Sequence, residues 1–231
     1  MKKLVALLTA LLLCLPLMTA FAAGNMAYVT ITDDTGALVV AYAPVPMIDA
    51  DKDGVVTIAE VLRAAHAYYH ADAVNGFAME ETAYGLSLTR LWGIENGGAY
   101  GYYVNDASAW SLLEPVQAGD HVKAFCYTDL TAWSDTYCFF AAPTATVEAG
   151  AALTLTLSAA GYDETWAPVT LPVAGAVITV DGEATDVVTD ENGVATITLT
   201  TSGLYIISAV HADITLVAPI CVASVPEVAA E

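Results

Sequence analysis

The chain has 231 residues, with 26 acidic side chains against 6 basic ones, a formal net charge of −20, and 57% hydrophobic residues. Phosphate-backbone recognition needs clustered Lys and Arg, so nucleic acid is excluded as a partner, and electrostatic docking on anionic lipid with it. High hydrophobicity excludes intrinsic disorder, which leaves a folded acidic protein of one or two domains.

Met1-Lys2-Lys3 is a short positive segment, Leu4 to Leu17 an apolar run of secretory length, and Ala20-Phe21-Ala22 an A-x-A cleavage site. Residues 1–22 therefore read as a signal peptide, and the mature chain is expected to begin at Ala23. Cys14 follows Leu11-Leu12-Leu13 and lacks the small residue that precedes a lipoprotein acceptor. After processing, Lys52, Arg63, Arg90 and Lys123 stand against 26 acids, a balance of −22. No later stretch reaches the roughly 18 consecutive apolar residues of a membrane span. The expected location is the cell exterior, secreted or surface-associated, and the expected state is a monomer.

Ala27 to Thr32 alternates apolar and polar residues as a half-buried strand does. Asp33-Asp34-Thr35-Gly36 supplies a turn, and Ala37 to Tyr42 returns as a second strand. The strongest local signal follows: Asp49-Ala50-Asp51-Lys52-Asp53-Gly54-Val55-Val56-Thr57-Ile58-Ala59-Glu60. It fills every position of an EF-hand calcium loop. Ca2+ takes six to eight oxygens. Asp49, Asp51 and Asp53 offer carboxylates at positions 1, 3 and 5, Val55 its carbonyl, Thr57 a direct or water-borne contact, and Glu60 a closing carboxylate. Gly54 permits the bend.

Two other readings use some of the same residues. Thr57-Ile58-Ala59-Glu60 is also a capping box, and the three aspartates also suit a solvated turn. Capping explains nothing about Asp49, Asp51, Asp53 and Gly54. Ala43-Pro44-Val45-Pro46 forbids an entering helix, so the site is expected to be a single strand–loop–helix unit with a structural role.

Thr57 to Ala71 has helical spacing, with Ile58, Val61, Leu62, Ala65 and Tyr68/Tyr69 on one stripe. Arg63, His66 and His70 are placed on the opposite, exposed face. Leu86–Trp92, Ala99–Val104 and His121–Tyr127 read as strands. Strand, strand, helix, then further strands describe an α+β domain, one helix on a mixed or antiparallel sheet, over residues 23–142. Trp92, Tyr100, Tyr102, Tyr103, Asn105 and Trp110 fall together in sequence. They are either ordinary sheet core or a stacking surface for a planar ligand.

Cys126, Cys138 and Cys221 survive processing into an oxidising compartment. Cys126 and Cys138 end the strand-like runs Val122–Tyr127 and Thr136–Phe140, with a polar stretch between them. A hairpin there favours a Cys126–Cys138 disulfide, although three cysteines allow three single pairings.

From residue 143 to 231 the composition shifts to short alternating strands. These are Leu153–Leu157, Ala176–Val180, Val194–Thr200, Leu204–Val210 and Ile220–Val225, separated by Asp and Gly turns. That spacing predicts an all-β immunoglobulin-like sandwich. Enzyme templates are unmatched: there is no G-x-S-x-G, P-loop or zincin motif. The expectation is a protein that is not an enzyme.

Residues 25–140 resemble the transcobalamin C-terminal-like family of exported bacterial domains. The resemblance is carried by Ala83-Tyr84-Gly85-Leu86-Ser87-Leu88-Thr89-Arg90-Leu91-Trp92-Gly93, by Gly101-Tyr102-Tyr103-Val104-Asn105-Asp106, and by Ala118-Gly119-Asp120-His121-Val122-Lys123-Ala124-Phe125. It implies a β-grasp-like fold for the first domain, with Tyr102, Tyr103 and Asn105 at matching positions. In transcobalamin the similar domain covers one face of cobalamin together with a large helical domain that has no counterpart in this sequence. The tail resembles immunoglobulin-like surface modules through Asp190-Glu191-Asn192-Gly193-Val194-Ala195-Thr196. The leading expectation is a secreted, calcium-stabilised, non-catalytic binding or adhesion protein whose partner is an extracellular protein, glycan or small molecule. The alternative is a corrinoid-like small-molecule carrier using the aromatic surface of the first domain.

Overall fold

The computed structural model describes residues 24–227; the expected signal peptide with Cys14, and the last four residues, lie outside them. Among the described residues strands dominate and form several sheets. The chain divides into two compact units, the first ending at Trp133 and the second beginning at Ser134.

In the first unit β1 (Met26–Thr32) and β2 (Leu38–Pro46) form an antiparallel hairpin. Asp33 sets its turn: one carboxylate oxygen accepts from Thr35 N at 2.8 Å and Ala37 N at 3.0 Å. β2 runs on through Pro44 and Pro46 because it is the sheet edge, where a missing N–H breaks no ladder bond. The chain continues through α1 (Ile58–Tyr69), the single-turn α2 (Ala73–Gly76), a hairpin of β3 (Ala78–Thr82) and β4 (Gly85–Arg90), then β5 (Tyr100–Val104), β6 (Ala107–Ser108) and β7 (His121–Cys126). The main sheet has the order β2-β1-β7-β5-β6, with β7 parallel to β1 and antiparallel to β5. A parallel pair requires a long crossover, and the chain between β1 and β7, including α1, supplies it.

Ala27, Val29 and Ile31 alternate along β1 and join Val122 and Ala124 of β7 in one core. Of the stripe read from the sequence, Ile58, Val61, Leu62 and Ala65 of α1 complete that core and Tyr69 packs against it, while Tyr68 is exposed. The helix is thus seated by apolar spacing at three and four residues. Its register against the sheet is fixed by the Tyr69 hydroxyl, which donates to Pro44 O at 2.5 Å.

The second unit holds β8 (Thr136–Phe140), β9 (Thr144–Thr146), β10 (Ala152–Tyr162), β11 (Pro168–Pro172), β12 (Val177–Val180), β13 (Glu183–Val188), β14 (Val194–Thr198), β15 (Gly203–Val210), β16 (Leu216–Val217) and β17 (Cys221–Val225). One sheet runs β11-β10-β8-β16, with β14 also on β10; the other runs β13-β12-β15-β17-β9. Leu157, Ile178, Ile197, Ile207 and Ala223 bring both sheets into one apolar core.

β8 was expected at the end of the first domain, but it pairs with β10 and β16 and so belongs to the second. The boundary accordingly falls at Trp133 rather than Ala142. This also corrects the disulfide expectation. Cys126 packs in the first core, while Cys138 and Cys221 pack in the second. Each carries a thiol, and no bridge joins them. The residues between β7 and β8 make no hairpin: Asp129 folds them into a turn by accepting from Thr131 N and Ala132 N. Cys138 Sγ instead donates to Val217 O at 3.1 Å. Burial, with a smaller push from Asp34 and Asp33, drives the Cys126 thiol up to about 12, and burial takes Cys221 to about 11. Both stay protonated and unreactive at neutral pH.

Candidate metal centre

The loop between β2 and α1 folds back on itself because Lys52 and Gly54 both take left-handed conformations, with φ of +64° and +93°. The result brings Asp49, Asp51 and Asp53 together, one carboxylate oxygen of each lying within 4.8 Å of the others. Local hydrogen bonds set the three rotamers. Asp49 Oδ2 accepts from Gly54 N at 2.9 Å, Asp51 Oδ1 from Asp53 N at 3.2 Å, and Asp53 Oδ1 from Val55 N at 2.8 Å. Each carboxylate spends one oxygen on the loop and retains another. Asp49 Oδ1 is buried and has no hydrogen-bond partner.

The other three candidate ligands are placed differently. Val55 is half-exposed, and its N–H serves Asp53. Thr57 and Glu60 form the capping box: Glu60 N donates to the Thr57 hydroxyl oxygen, while Thr57 N and that hydroxyl donate to Glu60 Oε2 at 2.9 and 3.0 Å. The second oxygen, Oε1, accepts from Ala50 N at 2.7 Å and ties the start of the loop to the helix. Burial raises the Glu60 carboxyl, but the hydrogen bonds from Ala50 and Thr57 outweigh it and hold the group below its usual range. Thr57→Ala is expected to lower stability by about 1 kcal/mol, the ordinary cost of losing an N-cap; urea unfolding at fixed calcium measures it.

A third segment completes the support. Ile58 N donates to Glu114 O and Ala59 N to Leu112 O, so carbonyls of the 110–116 turn satisfy first-turn donors of α1. Val116 N donates to Val56 O at 2.8 Å, and Thr57 bridges Pro115. Leu112 is fully buried beneath this turn, which is folded by Glu114 accepting from Trp110 N and Ser111 N.

The donor set fits a hard divalent cation. Three carboxylates held this close repel one another, and a buried carboxylate oxygen without a partner is costly. A hard divalent cation held among Asp49, Asp51 and Asp53 would offset both.

The helix histidines were expected on an exposed face, and the structure corrects this. His66 is 0% exposed. It stands four residues after Leu62 and eight after Ile58, so it extends their stripe, and Phe77 and Trp92 close over it. Its Nε2 accepts from Trp92 N at 3.0 Å, which fixes the proton on Nδ1, donating to Leu62 O at 2.7 Å. His70 packs edge-on against Trp92 with ring centres 4.7 Å apart.

The aromatic candidates divide among several environments. Trp92 belongs to the histidine cluster, in a tight turn bridged by Leu91 and Ile94. Tyr100 and Tyr102 pack against the first core, and the Tyr100 hydroxyl donates to Ile94 O. Tyr103 lies on the other face of β5, beside Phe125. Asn105 donates to Asp120 and accepts from His121 N, a structural clasp. Trp110 stands 85% exposed at the start of the turn that supports the Asp49–Glu60 loop.

No protein-family model matches the sequence. No curated protein matches it either. Among solved structures, the D0–D1 domain of intimin aligns at 18% identity over 66% of this chain and 78% of that one, with a TM-score of 0.26. The ectodomain of the teleost fish polymeric Ig receptor aligns at 13% identity over 68% of this chain and 77% of that one, with a TM-score of 0.22.

Proposed function

We propose that this chain is an exported, calcium-stabilised, non-catalytic binding protein. The observation that carries the calcium reading is Asp49 Oδ1, buried and unpartnered beside Asp51 and Asp53. Those three residues would hold the ion, with the Val55 carbonyl and Glu60 completing the shell as Glu60 exchanges its hydrogen bond to Ala50. The ion would supply charge neutralisation, joining β2 to the start of α1. The binding half of the reading is supported by apolar surface left in solvent: Trp110 and Leu113 project from the turn that braces this loop, 85% and 56% exposed. The partner is an extracellular protein, glycan or small molecule.

For the first unit we favour a β-grasp-like fold, supported by the β2-β1-β7-β5 order with a parallel centre and α1 on one face. For the second we favour an immunoglobulin-like sandwich, supported by two sheets over one core.

The calcium reading is tested by thermal unfolding of the exported chain in about 10 mM calcium and in chelator. With the weak affinities of extracellular modules, binding contributes about 1–3 kcal/mol at that concentration, a shift of several degrees. Asp51→Ala is expected to abolish the shift. Identical midpoints in calcium and chelator would sink the reading.

A further inference from the structure

Three turns of the chain, two closing hairpins and one passing between sheets, share one hydrogen-bond pattern. An Asp carboxylate oxygen accepts from the backbone N–H groups two and four residues on: Asp33 from Thr35 and Ala37, Asp163 from Thr165 and Ala167, Asp190 from Asn192 and Val194. In each, the residue three after the Asp is left-handed: Gly36 at φ +75°, Gly193 at +73°, and Trp166 at +62°. Glycine suits that conformation and a bulky aromatic does not. Burial gives no compensation, because Trp166 is 81% exposed at the tip of the β10–β11 hairpin. A disfavoured residue held at an exposed tip points to a role outside folding.

The surroundings indicate what the tip meets. The Trp166 ring lies 6.2 Å from the ring of Tyr162, which is itself exposed. Asp163 and Glu164 flank the pair in solvent. Hydrogen bonds from the Thr165 hydroxyl and from Ala167 N and Thr165 N hold the Asp163 carboxyl below its usual range, so it is charged. Between Ser134 and Glu231 there are twelve Asp and Glu residues and no Lys or Arg. Aromatic faces beside carboxylates attract cations, and a guanidinium does both things at once, stacking on the ring and pairing with the carboxylate. An anionic surface is repelled by the same charges. β11 is a sheet edge, but Pro168 and Pro172 lack N–H donors at its two ends, which blunts strand addition and leaves recognition to side chains.

We propose that the tip of the β10–β11 hairpin, Trp166 and Tyr162 with Asp163 and Glu164, docks an arginine- or lysine-bearing segment of another protein. This rests on reading the chain as a binding protein, and it does not require calcium.

The test is calorimetric titration of the exported chain with hexa-arginine, hexa-glutamate and a neutral hexasaccharide, each in calcium and in chelator. Hexa-arginine is expected to bind, with affinity falling as salt rises. Trp166→Gly is expected to weaken it about tenfold, in keeping with loss of one cation–π contact. The thermal midpoint of that variant should hold or rise, since glycine accepts the loop's backbone; Trp166→Asn gives a second tolerant replacement. Equal hexa-arginine affinity in wild type and both variants would show diffuse charge attraction and overturn the proposal. So would no hexa-arginine binding, or tighter binding of the saccharide or hexa-glutamate. Trp166-dependent binding that persists in chelator upholds it even where the calcium reading fails.

Discussion

Lowering the pH from 7 to 4.5 is expected to cost the first unit about 2–3 kcal/mol for each of two buried histidines, His66 and His121. Burial pulls His66 from 6.5 down to about 4; its hydrogen bond to Leu62 opposes the shift and His70 adds to it. Burial pulls His121 down to about 3, helped by Lys123 and opposed by Asp106. Both folded values lie below the unfolded one. The unfolded chain therefore takes up protons first as pH falls, and the stability these groups hold above about 6.5 is lost on the way down. Geometry gives the same sign. Protonating His66 Nε2 sets a donor against the Trp92 N–H that now donates to it. His121 Nε2, 2.8 Å from the Thr30 hydroxyl, sits in a buried site that already contains the Lys123 ammonium paired with Asp106. Urea unfolding in saturating calcium at pH 7, 5.5 and 4.5 measures the slope, and His66→Gln should remove roughly half of it. A flat profile over that range would contradict the argument.

What the sequence conveyed was local. The clustering of Asp49, Asp51 and Asp53 ahead of α1 was legible because the three carboxylates, their glycine and the helix start lie within twelve consecutive residues. The apolar stripe of α1 and the turns at Asp33 and Asp190 were legible for the same reason. His66 was misread by polarity, although its spacing from Ile58 and Leu62 marked it as inward-facing; what buries it, Phe77 and Trp92, arrives from farther along the chain. The Cys126–Cys138 expectation failed because pairing of β8 with β10 depends on residues far beyond the presumed hairpin. Glu60 shows a different limit. One carboxylate satisfies two motifs, and only the structure shows it engaged with Ala50 and Thr57. Trp166 had a signal that was overlooked: it occupies the position held by Gly36 and Gly193 in the two sister loops.

Those sister loops also separate two costs that a glycine substitution usually mixes. Gly193→Ala is expected to destabilise the second unit by about 2–4 kcal/mol, against about 1 kcal/mol for Gly36→Ala in the first. The two positions share a left-handed φ, so the conformational cost of adding a Cβ is common to both. At Gly36 nothing lies within 4 Å of that Cβ. At Gly193 it would stand 2.2 Å from Leu157 O and 3.1 Å from Val173 N, both main-chain atoms. Neither can turn aside as a side chain does. Leu157 O is already the acceptor for Val173 N at 3.1 Å, and Leu157 N donates to Gly193 O at 2.8 Å. A methyl group there must therefore break a backbone bond or push the turn away from β10, and Leu157 is fully buried in the core. Urea unfolding of the two variants, each followed through the unit that carries it, reads the difference. Equal losses would mean that φ alone fixes glycine at both turns; a larger loss at Gly193 identifies it as the point where the β13–β14 connection is pressed against β10.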